Sequence, residues 1–172
     1  MIQPLLNLYK LFEENKEEFE KYDLESHFFI DLYRSQPEEP DQYEYFSLPA
    51  IFVDYQLVGQ GRNKPRLVTM ILHVVTDEMP DASNVMIEHA SGLKRFLYHT
   101  IIQELLEGTR LGNTSRLEFV NEAIVDTQVV NYHNQSYTFE AYLQDLTGTP
   151  EEIEYGIIEL IRLQGQLVKE IE

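Results

Sequence analysis

The sequence of 172 residues contains no cysteine. This absence excludes disulfides, thiolate metal sites and cysteine nucleophiles, and it is consistent with a reducing compartment. No apolar run approaches the roughly 20 residues that a membrane-spanning helix requires. The N-terminal segment has neither a basic start nor an uninterrupted apolar core, so it does not resemble a signal peptide. We therefore expect a protein that is soluble and intracellular where it is made.

Basic residues are also scarce, since 13 Lys and Arg stand against 30 Asp and Glu and the formal net charge is −17. Proteins that hold nucleic acid neutralise phosphates with Lys and Arg, and this composition does not supply that charge. We expect no specific nucleic-acid binding. The acidity has two interpretations: solubility alone, or a surface that DNA approaches without adhering to it.

The motifs of common catalytic and cofactor sites are missing as well. The only Ser–Gly pair, Ser91–Gly92, is not part of a Gly-x-Ser-x-Gly turn. No two of the five histidines have the i,i+4 spacing of a helical metal site. Residues 59–61 read Gly-Gln-Gly but lead into a strand, and residues 14–16, the only Glu-x-Lys match, fall on a helix with both side chains toward water. We predict no catalytic, cofactor or metal site, and hence a protein that is not an enzyme.

The clearest positive feature is a long β-hairpin over residues 48–76. Two runs rich in β-branched and aromatic residues, 48–58 and 67–75, flank the polar connection GQGRNKP. The second run is almost continuously apolar, which predicts a strand buried on both faces, against a helix on one side and another element or subunit on the other. His73 lies within it, and we expect a hydrogen-bonded core or interface histidine.

A second strand pair is predicted at residues 119–130 and 136–143, joined by the polar segment NYHNQ. The first run is too long for a flat strand, which predicts a bulge or a break near residues 123–126. The second run alternates apolar and polar residues, as in an antiparallel sheet with one wet face.

Helices are predicted on both sides of these pairs. Apolar residues recur with helical spacing over 5–21, and residues 26–34 read as a transition from helix to strand. A central helix capped by Asp81, Ser83 or Asn84 is expected to run toward Glu107, with Gly108 at its C′ position. A Thr-x-x-Glu capping box with Pro150 starts a C-terminal helix over 150–171. The prediction is one α+β domain, residues 1–172, in which an antiparallel or mixed sheet of about four main strands is flanked by these three helices.

Two charged segments are candidate interaction sites. Arg62, Lys64 and Arg66 are concentrated at the tip of the first hairpin, either as edge protection and solubility or as a cationic peg that meets an acidic patch on a neighbouring copy. The loop over residues 35–46 contains two prolines and a group of acids. We expect this loop to be mobile until assembly. Its candidate interface acids are Glu38, Glu39, Asp41 and Glu44.

The order of these elements resembles that of a known family. An N-terminal amphipathic helix precedes the strand Leu-Pro-Ala-Ile-Phe-Val at residues 48–53, and a Leu-His-Val strand at residues 72–74 precedes a helix. A Phe-Val-Asn-Glu…Asp-Thr…Tyr-x-Phe region follows at residues 119–142. This pattern resembles tail-terminator or minor tail proteins of tailed phages and prophages, notably those of Bacteroides-like hosts. The resemblance covers roughly residues 1–145, and the helix predicted over residues 150–171 departs from it.

The resemblance implies an α+β fold and a homo-oligomeric ring, often six-fold, that caps the tail tube and joins it to the head. The implied partners are other copies of this chain, tail-tube proteins and head-connector proteins. The implied location is the cytoplasm of a bacterial host during assembly and then the virion tail. Two alternatives remain open: a neck or head-completion adaptor, and a small acidic regulatory or anti-restriction protein that imitates DNA.

Overall fold

The computed structural model describes residues 1–39, 46–76, 84–85, 93–125 and 130–147. Within them lie two N-terminal helices, α1 (Ile2–Glu14) and α2 (Lys16–Glu20), and the strand β1 (Phe29–Leu32). A short 3-10 helix (Gln36–Glu38) follows. The remaining elements are β2 (Ala50–Gly59), β3 (Arg66–Thr76), α3 (Arg95–Leu106), β4 (Glu118–Val125), β5 (Asn131–Ala141) and α4 (Leu143–Thr147). In this part of the chain, no helix is both long and apolar enough to cross a membrane.

The strands form one mixed sheet in the order β1-β2-β3-β5-β4. The β2–β3 hairpin is confirmed, and its antiparallel register runs from Ala50 opposite Val75 to Gly59 opposite Arg66. β5 and β4 continue the antiparallel pattern. β1 lies parallel to β2 and pairs with it only over residues 50–53. The fold is α+β as predicted, with five strands instead of about four.

Each face of the sheet carries a core, and the two cores differ in size. On one face Ile51, Val53 and alternate residues of β3 and β5 pack against α1, α2 and α3 in the main hydrophobic core. On the other face a smaller cluster forms from Ala50, Phe52, Val75 and Tyr132. The prediction that β3 is buried on both faces is therefore confirmed for its C-terminal half, and its second face is covered by elements of the same chain.

The helical layer differs in detail from the sequence prediction. The segment predicted as one helix over residues 5–21 is divided at Asn15, whose backbone leaves helical geometry while its side-chain amide donates to the Leu11 carbonyl at 2.7 Å. The central helix ends as expected, because Gly108 has a φ of 76° just beyond its C-cap. Residues 81 and 83, proposed caps, lie outside the described residues, as does the predicted helix over 150–171, while Asn84 lies in a turn.

The second strand pair is where the sequence prediction was wrong about boundaries. NYHNQ is not a connection, because residues 131–135 form the first half of β5. Asn131 accepts from Arg95 Nη1 and Gln135 donates to the His99 carbonyl, so polarity here reflects contacts with α3 and does not indicate a turn. The register shift lies between Phe119 and Asn121. The bulge or break was predicted near residues 123–126, but residues 123–125 pair with β5 without a register shift. Leu143, which was predicted to end the second strand, begins α4.

Candidate interaction surfaces

The distal half of β2 is an open sheet edge. β1 covers only residues 50–53, and no other described strand pairs with the same side of residues 54–59. Three apolar side chains are exposed along this stretch: Tyr55 at 40%, Leu57 at 41% and Val58 at 46%. A strand with unpaired backbone groups and exposed apolar side chains is a template for a further strand. We call residues 54–59 the β2 edge.

The hairpin tip beyond this edge carries two exposed cations. The chain turns with positive φ at Gly61 and Asn63, which projects Arg62 and Lys64 into solvent. Neither makes an ion pair within 4.0 Å with any described residue. Arg66 differs, because its guanidinium lies back over Gly59, where an added Cβ would be 2.5 Å from Nη1. The structure therefore places Arg62 and Lys64 at the tip and Arg66 at the start of β3.

The opposite border of the sheet is also open. β4 pairs with β5 on one side, and no described strand lies on its other side. Its apolar side chains Val120 and Ile124 are 54% and 61% exposed, and Glu118 is exposed at its start. Phe96 of α3 lies close by, since it contacts the His133 ring, and His133 is the register partner of Ile124. We call residues 118–125 the β4 edge.

The described part of the acidic loop is linked to β3 through Tyr33. The Tyr33 hydroxyl donates to Glu38 Oε1 at 2.9 Å, and the Tyr33 ring stacks on His73 with centroids 3.8 Å apart. Glu38 and Glu39 are both exposed. Asp41 and Glu44 lie outside the described residues, so the structure says nothing of their position. The expectation of a loop that is mobile until assembly stays a prediction.

Next to the Tyr33 ring, His73 is buried and hydrogen-bonded, as the sequence analysis expected. Its Nδ1 is hydrogen-bonded to the Tyr132 hydroxyl across the strand pair. Its Nε2 is buried without a partner among the described residues. Burial therefore lowers the pKa of His73, partly offset by Asp54 and Glu38. The neutral imidazole serves as a packing and hydrogen-bonding residue of the smaller core.

A buried histidine pair that the sequence analysis missed lies between α3 and β5. The rings of His99 and His133 stack with centroids 3.7 Å apart, and their exposures are 3% and 5%. Burial lowers the pKa of His99 to about 3, with smaller contributions from His133 and Arg95. Burial also lowers the pKa of His133, opposed by Glu122. Both rings are therefore neutral at pH 7.

Side chains from the sheet complete the polar network around this pair. Glu122 Oε1 lies 3.2 Å from His133 Nδ1, without the alignment of a hydrogen bond. Gln135 is fully buried and donates to the His99 carbonyl at 2.8 Å and to Glu122 Oε2 at 2.9 Å, while the Tyr137 hydroxyl donates to Gln135 Oε1. The network ties α3 to β4 and β5. Across the described ranges, no group of three or more His, Asp or Glu side chains is arranged to hold a metal ion.

The missed edge residues and histidines had weak sequence signals. Tyr55, Leu57 and Ile124 follow the same alternation as buried strand residues, and only their position at an edge exposes them. His99 and His133 lie on different elements, and no spacing rule connects them. A comparison of the chain with protein-family models finds no match. A comparison with curated proteins finds no match either.

Proposed function

We propose that this protein is a non-enzymatic structural protein of a phage or prophage virion, a tail terminator that assembles as a homo-oligomeric ring. The ring caps the tail tube and joins it to the head through complementary surfaces, and no reaction is catalysed. The partners are other copies of the chain, the tail-tube protein and the head-connector protein. The protein acts in the cytoplasm of the bacterial host during assembly and then in the virion tail.

The observation that carries the proposal is the pair of sheet borders, the β2 edge and the β4 edge, beside which the described part of the chain places no further strand. A closed ring of more than two copies needs two different surfaces on each subunit, one for each neighbour. Two unlike sheet edges at opposite ends of one sheet supply such a pair, because strand addition gives main-chain hydrogen bonds between chains. A single open edge would favour only a two-fold dimer.

The charge of the chain supports the same proposal. A net charge of −17 is unsuited to gripping DNA, while an acidic ring lets DNA pass through its opening without adhering. Among the described residues, six exposed acids lie close together in the chain on α1, α2 and the segment that follows: Glu13, Glu14, Glu17, Glu20, Asp23 and Glu25. They do not follow the sheet in two regular rows, which is the arrangement that a DNA mimic requires.

The test is assembly of the purified protein, alone and with tail tubes, followed by native mass spectrometry and negative-stain electron microscopy. We expect closed rings that bind the end of the tube. Preferential capture of the head connector over the tube would instead support the neck-adaptor alternative. A chain that stays a monomer under both conditions, over the full range of soluble concentrations, would overturn the proposal.

A charge-reversal variant tests whether the hairpin tip contributes to this assembly. Arg62→Glu with Lys64→Glu removes the two exposed cations, and we expect weaker association because attraction to the acidic neighbour becomes repulsion. The matched control is Lys10→Glu with Lys21→Glu, which changes the net charge equally at two exposed positions, in α1 and just after α2, whose ion pairs lie within the N-terminal helices. Equal ring yields from both variants would contradict a role for the tip.

A further inference from the structure

We propose that the β2 edge of one copy pairs with the β4 edge of the next, so that neighbouring sheets join into one continuous belt. This inference rests on the proposed function, because it names the contact through which ring subunits meet. The occupant of each open edge is thus a second copy of this chain.

Strand directions make the two edges compatible. β2 and β5 run in one direction, and β3 and β4 run in the other. When one sheet continues into the next with the same side facing the helices, β4 therefore lies antiparallel to β2 of its neighbour. Antiparallel edges form the stronger hydrogen-bond ladder per residue, and neither edge contains a proline that would remove a donor.

The apolar side chains of the two edges lie on matching faces. Tyr55 and Leu57 project from the helix-covered side of the sheet, since their register partners Met70 and Val68 belong to the main core. Ile124 projects from that same side, because its register partner His133 packs against His99 of α3. Joining the edges removes these three exposed side chains from water together. Cross-strand pairs of this kind stabilise a sheet.

The charges at the ends of the two edges are complementary. In the antiparallel arrangement the start of β4 lies beside the end of β2, which places Glu118 near the hairpin tip with Arg62 and Lys64. None of these three residues has an ion pair with another described residue. Charge complementarity at a rim selects the partner and orientation more than it adds affinity. The complementary charges therefore favour the β4 edge, and not a second β2 edge, as the strand that pairs with the β2 edge.

The position of β1 determines the stagger between copies. Because β1 already pairs with residues 50–53 of β2, an incoming strand fits only beyond Leu32, alongside residues 54–59. The neighbouring sheet is thus displaced along the strand direction. Closed β-structures have tilted strands with this kind of stagger, so the step at β1 is compatible with a ring.

The absence of native cysteine makes the contact directly testable by cross-linking. One preparation carries Leu57→Cys and another carries Ile124→Cys; the two are mixed and treated with a short bis-maleimide. Opposed strands place such positions about 5 Å apart, within the reach of this reagent. The matched control replaces Leu57→Cys by Val58→Cys, because Val58 is equally exposed but faces the other side of the sheet.

We expect mixed dimers from the Leu57 and Ile124 variants at several times the yield of the Val58 control. A single chain carrying both Leu57→Cys and Ile124→Cys should give a ladder that ends at the ring size. In addition, Arg62→Glu should weaken association about two- to fivefold, the size of a typical exposed ion pair, and Glu118→Lys in the neighbour should restore it.

The outcomes separate this contact from the ring itself. Rings seen by electron microscopy without mixed dimers, or with Leu57→Cys linking mainly to itself, overturn the β2–β4 contact and leave the proposed function in place. A protein that forms neither rings nor cross-links overturns both.

Discussion

Replacing His99 by phenylalanine tests the electrostatic account of the buried histidine pair. Burial lowers the pKa of His99 from its ordinary value of 6.5 to about 3. His99 of the unfolded chain therefore binds a proton below pH 6.5, whereas His99 of the folded chain stays unprotonated down to about pH 3. Stability from this group is fully present above pH 6.5 and is lost as the pH falls through the window between the two values.

The magnitude follows from the size of that window. Each unit of pKa difference corresponds to about 1.4 kcal/mol. Lowering the pH from 7.5 to 5.0 should thus reduce the free energy of unfolding by about 2 kcal/mol through His99 alone. His73 and His133, whose pKa values are also lowered, act in the same direction. Phenylalanine keeps a stacked ring beside His133 and removes the titrating group.

The assay is urea unfolding at pH 7.5 and pH 5.0, at one protein concentration, for the wild type and for His99→Phe. We expect the loss between the two pH values to be about 2 kcal/mol smaller in the variant. The control is His27→Gln, which removes a histidine from an exposed position, where its Nδ1 lies 3.0 Å from Glu25 Oε1 and not in the core. An unchanged pH dependence in His99→Phe, or an NMR titration of His99 with a midpoint near 6.5, would refute the reasoning.

Two further predictions concern stability. Phe19→Ala should destabilise the fold by about 3–5 kcal/mol in urea unfolding, because the Phe19 ring is fully buried among aromatic neighbours. Tyr22 lies on the same segment but is half exposed, so Tyr22→Ala should cost less than about 1 kcal/mol. A loss for Phe19→Ala no larger than that for Tyr22→Ala would contradict the assigned core. Gly108→Ala should cost about 1–2 kcal/mol through its φ of 76° alone, since an added Cβ meets only the tip of Arg116 at 3.9 Å. A neutral Gly108→Ala in thermal or urea unfolding would contradict the left-handed C′ position.

Local chemistry explains what the sequence predicted well. The glycines and proline between two β-branched runs favour a turn, and the hairpin register agrees with that turn. Gly108 ends the central helix because the C′ residue adopts a left-handed conformation, which glycine accepts without a steric penalty. These signals act between residues that are close in the chain, so composition and spacing are sufficient to detect them.

The sequence predictions were wrong where polar residues are buried and where strand pairing has no local signal. NYHNQ has the composition of a loop, yet His133 and Gln135 are buried because α3 and β4 supply their partners from elsewhere in the chain. β1 is short, and its parallel pairing with β2 has no local signature. Sequence patterns report which residues prefer water, but they do not report partners that arrive from distant segments.

By itself, therefore, the sequence determined the α+β class, the long hairpin with its basic tip, the acidic charge and the absence of thiol chemistry. The tertiary structure alone decided which strands became edges and which became central. That decision exposes Tyr55 and Leu57 while Ile51 and Val53 of the same strand are buried, and it exposes Ile124 on the outer strand β4. The physical reason is that the alternation of side chains along a strand is local, whereas the number of neighbours beside a strand depends on the order of the whole sheet.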